Sequence, residues 1–410
     1  MTALPTRRRG TRAAVALAGI ALLTAGLSAC SNATGDSSSD DSDNSSDSQG
    51  RPGSVDGVDD VVLSSNVGPR KAVPVNHVVR VKASNGTITK VLVKAAGAEP
   101  IKGTLASDGS TWHATQLLEP GTTYVVRTTT ENADGDVDNS SRRFTTVDLT
   151  LDQQTYAAVA PLEGETVGVG MPIIVNFDLP VTDKKAFEKH MLVTSTPAQK
   201  GTWHWMSDTL VHYRPAAYWK AGSDVTVDLD INALPAGQGI YGQDSRTVSF
   251  HVGDAVISKV NAQTHQMKTF VNGKLVRTTP ITTGKAGFTT RSGVKVIMEK
   301  YRTKRMNSET VGIPAGSSDA YDIDDVEYAM RVTSSGEFLH AAPWSVGSQG
   351  YANVSHGCTG MSTENAAWIY NISKRGDVVE YTGTDRPMTL DNGYGDWNES
   401  FATYKQGSAL

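Results

Sequence analysis

Two residues in the last third of the chain could carry covalent chemistry together. His340 lies in Phe338-Leu339-His340, and eighteen positions later Cys358 closes the turn Ser355-His356-Gly357-Cys358. Thiolate rather than thiol attacks a carbonyl carbon, so a working cysteine needs a lowered pKa or a base within hydrogen-bond reach. His340, on a strand expected over 337–341, is a candidate base, provided a third group holds its ring in one tautomer. Gly357 accepts backbone angles that other residues resist, so the turn can aim successive N–H groups at one point and stabilise an oxyanion. Each residue also has a plain alternative. A single cysteine before a helix is often a small buried hydrophobe, and a single histidine on a strand often has its bonds satisfied within the fold. Residue chemistry alone leads as far as a thiol acyl transferase or hydrolase.

The rest of the chain is the apparatus that must place those groups. It has 410 residues, enough for several domains, and a formal net charge of −5. No basic stripe with interleaved aromatics occurs, which argues against nucleic acid as a partner. Cys30 and Cys358 are the only cysteines, too few for a disulfide framework. Arg7, Arg8, Arg9 and Arg12 precede an apolar run over 13–27, too short for a comfortable membrane span, that ends in Leu27-Ser28-Ala29-Cys30. This resembles a bacterial lipobox. Residues 1–30 are therefore expected to be a lipoprotein signal peptide, with lipidation at Cys30 holding the mature chain on the outer face of the cytoplasmic membrane. Residues 31–60 are rich in Ser, Asp and Asn and read as a solvated tether.

From 61 to 253 the pattern is of short strands broken by Gly, Pro, Asn and Asp, as in Ile173-Ile174-Val175-Asn176-Phe177. An internal repeat matches Gly103-Thr104, Trp112, Pro120-Gly121 and Arg143-Phe144-Thr145 with Gly201-Thr202, Trp203 or Trp205, Ala221-Gly222 and Val248-Ser249-Phe250. The expectation is two immunoglobulin-like β-sandwiches, 61–149 and 150–253, serving as spacers. His77, His113, His190, His204 and His212 show no metal-ligand spacing, although His204 and His212 could meet across a hairpin. The aromatics Trp203, Trp205, Tyr213 and Trp219 read as half of a core rather than as a carbohydrate platform. A third, mostly β domain is expected over 254–384, with a C-terminal extension over 385–410. Its features are a hairpin over 264–281 turning at Asn272-Gly273, strands near 294–301 and 328–332, and one main helix over 363–374. Ser362 would cap that helix, and Gly376 would follow its end.

The pattern of His340, fourteen intervening residues and Ser355-His356-Gly357-Cys358 resembles the signature of the L,D-transpeptidases of bacterial cell walls. His340-Ala341-Ala342-Pro343-Trp344-Ser345-Val346-Gly347, Gln349-Gly350, Asn353-Val354 and Gly395-Asp396-Trp397-Asn398 agree with it. The whole layout is similar to that of the three-domain, envelope-anchored members. The resemblance implies that Cys358 attacks a tetrapeptide stem of peptidoglycan, releases D-alanine and passes the acyl group to a second stem, forming a 3→3 cross-link without a cofactor or metal. It implies His340 as base with its other nitrogen on the Ala341 carbonyl, and an oxyanion site of the Gly357 and Cys358 amides with Tyr321. Met306 and Trp344 would line the substrate pocket, His356 and Ser355 would shape the turn, and carbapenem-type β-lactams would acylate the thiol. Two positions depart from the pattern: Gly360 stands where relatives usually carry Asn, and Ala341 where they often carry Ser. The other readings are an L,D-carboxypeptidase with water as acceptor, and a wall-binding spacer whose activity has lapsed through Gly360.

Overall fold

The computed structural model describes residues 60–69 and 71–410. The expected signal peptide with Cys30 and nearly all of the expected tether lie outside the described residues. The fold is mainly β, two immunoglobulin-like sandwiches followed by a mostly β third domain with few helices.

In the first sandwich a four-stranded sheet ending at Gly103–Leu105 faces a three-stranded sheet of Thr87–Ala95, Thr123–Glu131 and Val137–Thr145. Thr123–Glu131 alternates buried and less buried positions along its length, so one face closes over Trp112, Val126 and Phe144. The Tyr124 hydroxyl accepts the Glu119 amide at 2.9 Å and pins the turn before its own strand, a device common in such sandwiches.

The second sandwich is built around Trp203, Trp205, Tyr213 and Trp219, all in its core. The sequence repeat needs one correction here. A Cβ at Gly103 would strike the Trp112 ring at 2.0 Å, and one at Gly201 would strike Tyr213 at 2.5 Å. The glycine-aromatic contact crosses a strand pair in both sandwiches, so Tyr213, not Trp203 or Trp205, is the counterpart of Trp112. His204 and His212 do face each other across the hairpin. Both serve the C-terminal extension: His204 Nδ1 bonds the Tyr404 carbonyl at 2.7 Å, and His212 Nδ1 bonds Asp396 Oδ1 at 3.0 Å. The extension passes over this sandwich. Trp397, Phe401 and Tyr404 surround the Arg214 guanidinium, and the Ala409 amide donates to Glu188 at 2.7 Å.

The third domain has a five-stranded sheet, ordered Lys274–Pro280, Gln266–Val271, Val256–Asn261, Val378–Thr382 and Gly293–Val296. A four-stranded sheet runs Glu299–Asn307, Asp322–Arg331, Phe338–Ala341 and Thr359–Met361. Asn272 and Gly273 both take positive φ, 49° and 82°, as a turn matching strand twist requires. Helix Thr363–Ile372 buries Ala366 and Ile369 against Met330 and Leu339. Ser362 caps it by accepting the Asn365 amide, but it ends before the expected 374. Ser373 is already extended, and Gly376 (φ +94°) belongs to the turn into the next strand, where its amide bonds Ile297. The strand pair around Tyr321 is also longer than expected, because Glu299–Asn307 and Asp322–Arg331 continue well past the apolar stretches.

Candidate active site

Strand pairing brings the two chemical residues together. Phe338–Ala341 and Thr359–Met361 are parallel neighbours, with His340 opposite Gly360, so the turn ending at Cys358 emerges beside His340. Both side chains line one cavity of about 340 Å³ with Met306, Tyr321, Ile323, Val326, Trp344, Ser355, His356 and Gly360. A second cavity of about 230 Å³ also reaches Cys358, with Lys304, Arg305 and Arg331 in its wall, the two arginines paired with Asp322 and Glu299; Met306 and Tyr321 border both cavities. Ala341 and Gly357 are buried outside this lining. Thr282, Ile323, Val326 and Ser348 had no motif to mark them.

His340 is 6% exposed, and its Nδ1 lies 2.7 Å from the Ala341 carbonyl oxygen. A carbonyl only accepts, so Nδ1 carries the hydrogen and Nε2 keeps the free lone pair that a base uses. Burial pushes the imidazole pKa down, against the opposing pull of that hydrogen bond. Burial likewise pushes the Cys358 thiol up to about 11; the Glu337 charge adds to this, while the Phe338 amide, Lys295 and Arg331 oppose it. The resting pair is therefore neutral imidazole and neutral thiol, and the thiol points to the Gly336 carbonyl at 3.7 Å.

The turn that ends at Cys358 is held by its own side chains. Ser355 Oγ donates to the Cys358 carbonyl at 2.6 Å and accepts the Gly357 amide at 3.1 Å. The expected oxyanion donor at Gly357 is thus already engaged, because the serine closes the turn through it. Gly357 has φ +121°, while a Cβ there would meet nothing nearer than 3.7 Å, so glycine is required by backbone angle rather than by space. Gly360 is the reverse case. A Cβ would sit 2.9 Å from Ala342 Cβ and 3.1 Å from Thr282 Cγ2, so an Asn there would force the strands apart.

His356 sets its ring against Phe288 and Tyr321 at 4.7 Å and 5.1 Å and lies 3.4 Å from Asp319. It thereby ties the loop that carries Tyr321 to the turn that carries Cys358. Burial, with the Cys358 charge second, raises Tyr321 to about 12, so its hydroxyl keeps its hydrogen and can donate.

Known proteins agree with this architecture. Residues 70–235 match the bacterial Ig domain, and residues 255–380 match the L,D-transpeptidase catalytic domain. L,D-transpeptidase 2 of Mycobacterium tuberculosis (strain CDC 1551 / Oshkosh) is 34% identical over 338 residues, covering 82% of this chain and 82% of that protein. L,D-transpeptidase 1 of M. tuberculosis (strain ATCC 25618 / H37Rv) is 39% identical over 227 residues, covering 55% of this chain and 84% of that one. A solved LD transpeptidase in complex with imipenem is 38% identical, covers 56% of this chain and 99% of its own, and superposes with a TM-score of 0.50. With its imidazole on one strand and its thiol on the turn leading into the neighbouring strand of a matching catalytic domain, the chain belongs to the L,D-transpeptidase family of acyltransferases.

Proposed function

We propose that this enzyme forms 3→3 cross-links in peptidoglycan through a thioester on Cys358. The observation that carries this reading is the His340 tautomer: Nδ1–H is committed to the Ala341 carbonyl, leaving Nε2 as an acceptor in the cavity that holds the sulfur. In the first half-reaction Cys358 Sγ attacks the carbonyl joining the third stem residue to the terminal D-alanine, and its proton goes to His340 Nε2. The Tyr321 hydroxyl faces the developing oxyanion. The C–N bond breaks, the D-alanine nitrogen takes the proton from His340, and the thioester remains. In the second half-reaction the side-chain amine of another stem attacks the thioester, His340 takes its proton, and the thiol is re-formed as the new amide closes. Two cavities converging on one sulfur suit a reaction that brings two peptide stems to it in turn.

A carbapenem would enter by the same first step and stop there, its opened ring held as the thioester. Lipidation of Cys30 would keep the catalytic domain within reach of the wall. Incubation of the purified protein with disaccharide-tetrapeptides tests the reaction. Cross-linked dimers with release of D-alanine are expected from the wild type, and neither product from Cys358→Ala or His340→Ala. Free tripeptide stems without dimers would assign an L,D-carboxypeptidase instead. A wild type that takes no carbapenem adduct at Cys358 by intact-mass measurement would leave only a wall-binding role.

A further inference from the structure

Directly behind the nucleophile the two sheets of the catalytic domain are joined by buried charge. Lys295, fully buried on strand Gly293–Val296, places Nζ 2.5 Å from Glu337 Oε2 and 3.7 Å from the centre of the Tyr381 ring. Glu337 Oε1 accepts from the Arg291 side chain at 3.0 Å and from the Arg291 amide at 3.1 Å. Glu337 is the residue between Gly336, whose carbonyl faces the thiol, and Phe338, which starts the strand carrying His340. Its Cγ lies 3.7 Å from where a Cβ on Gly357 would be, so the carboxylate's stem packs under the catalytic turn. Tyr381 in turn shares a 2.8 Å hydrogen bond with Thr359, next to the sulfur.

Lys295, Glu337 and Arg291 line neither of the cavities that reach Cys358, so they do not contact a substrate there. A buried ion pair is a poor stabiliser compared with apolar side chains of the same volume, so stability alone does not account for charges at this spot. The groups facing the sulfur are Glu337, Lys295, Arg331, the hydroxyls of Tyr321 and Tyr381, and His340. Burial lowers the Lys295 ammonium to about 8, with Glu337 and the Cys358 charge working to raise it and Arg291 to lower it. The ammonium and the thiolate favour each other.

We propose that Lys295 and Glu337 are positioning residues for Cys358: the pair fixes the 336–338 main chain under the sulfur, and its lysine charge favours the thiolate that its glutamate charge opposes. Lys295, Arg291 and Glu337 together leave one net positive charge behind the turn. Without Lys295, Glu337 stays ionised, because the Arg291 side chain and amide still hold it, and the net charge falls to zero. The assignment rests on Cys358 being the nucleophile, but its test reads the thiol itself.

The experiment is alkylation of Cys358 in the full chain by iodoacetamide at pH 7, followed by mass spectrometry. The proteins compared are the wild type, Lys295→Met, Lys295→Gln and the double variant Lys295→Met/Glu337→Gln. Both single variants should react about threefold more slowly: a rise of roughly one pKa unit cuts the thiolate about tenfold, and the more basic thiolate regains about threefold in nucleophilicity. The double variant, which restores the wild-type net charge, should return to within about 1.5-fold of wild type. Lys295→Gln keeps a donor for Glu337, so it covers the case in which the methionine variant does not fold. Equal rates in the wild type and Lys295→Gln would overturn the proposal, as would a double variant slower than either single one, since both results mark a packing role alone. A wild type that alkylates normally but takes no acyl group from a tetrapeptide would instead sink the nucleophile assignment and leave the effect of the pair measurable.

Discussion

Asp377 sits where the catalytic domain meets the second sandwich, and it gives the sharpest test of how this protein's stability depends on pH. It is 1% exposed, Oδ2 accepts the Lys374 amide at 2.7 Å, and Oδ1 has no hydrogen-bond partner. Burial lifts its pKa from 3.8 to about 7, against the Lys374 amide and the charges of Lys374 and Lys300, with Asp254 adding slightly to the rise. The folded state therefore holds a proton that the unfolded chain has released. Stability must fall as pH rises from about 4 to about 7, and level off above that. A shift of about three units corresponds to roughly 4 kcal/mol across the window. Asp377→Asn removes the titration. Its amide NH₂ would occupy the place of the unpartnered Oδ1, a cost that does not vary with pH, so the slope carries the information and the offset does not. Urea unfolding of both proteins at intervals from pH 4 to pH 8 measures it, provided the m-values match. The variant should gain on the wild type steadily up to about pH 7. Parallel curves would show that the carboxylate is ionised in the fold at no cost, and would refute the reasoning.

Three further expectations concern the site and its supports. Tyr321→Phe should slow acylation by a tetrapeptide donor on the order of a hundredfold, with little change in KM, if its hydroxyl serves the oxyanion; stopped-flow acylation separates the two constants. Gly360→Asn should cost about 1–3 kcal/mol by overpacking against Ala342 and Thr282. Adding Ala342→Gly should recover part of that loss in urea midpoints. Asp396→Asn should destabilise by about 3 kcal/mol, since it strips the buried His212 of its charged partner and weakens the bond from Tyr404; the loss should appear in thermal unfolding at neutral pH.

Much of this molecule could be read from the chain, and where the reading failed the cause was geometric. The Asn272-Gly273 turn, the Ser362 cap and the strand Ile173–Phe177 are local, written in residues whose backbone preferences are strong. The proximity of His340 and Cys358 was suggested by their spacing but realised by a parallel strand pairing that no local pattern encodes. The engagement of the Gly357 amide by Ser355 depends on a hydroxyl rotamer, which sequence does not carry. Trp112 and Tyr213 play the same part against their glycines, yet the sequence repeat aligned tryptophan with tryptophan, because residue identity outweighed register. Lys295 on its strand and Glu337 just before the strand carrying His340 were not singled out in the sequence, because their pairing joins two sheets and no local pattern encodes it.

The hydrogen that Cys358 retains at rest has a further consequence. Attack by peroxide and exchange with stray disulfides both proceed through the thiolate, and a thiol lifted to about 11 offers almost none of it at neutral pH. A thiol that keeps its hydrogen in this way resists sulfenic acid formation. Such latency favours the reduced form of Cys358, the free cysteine among the described residues.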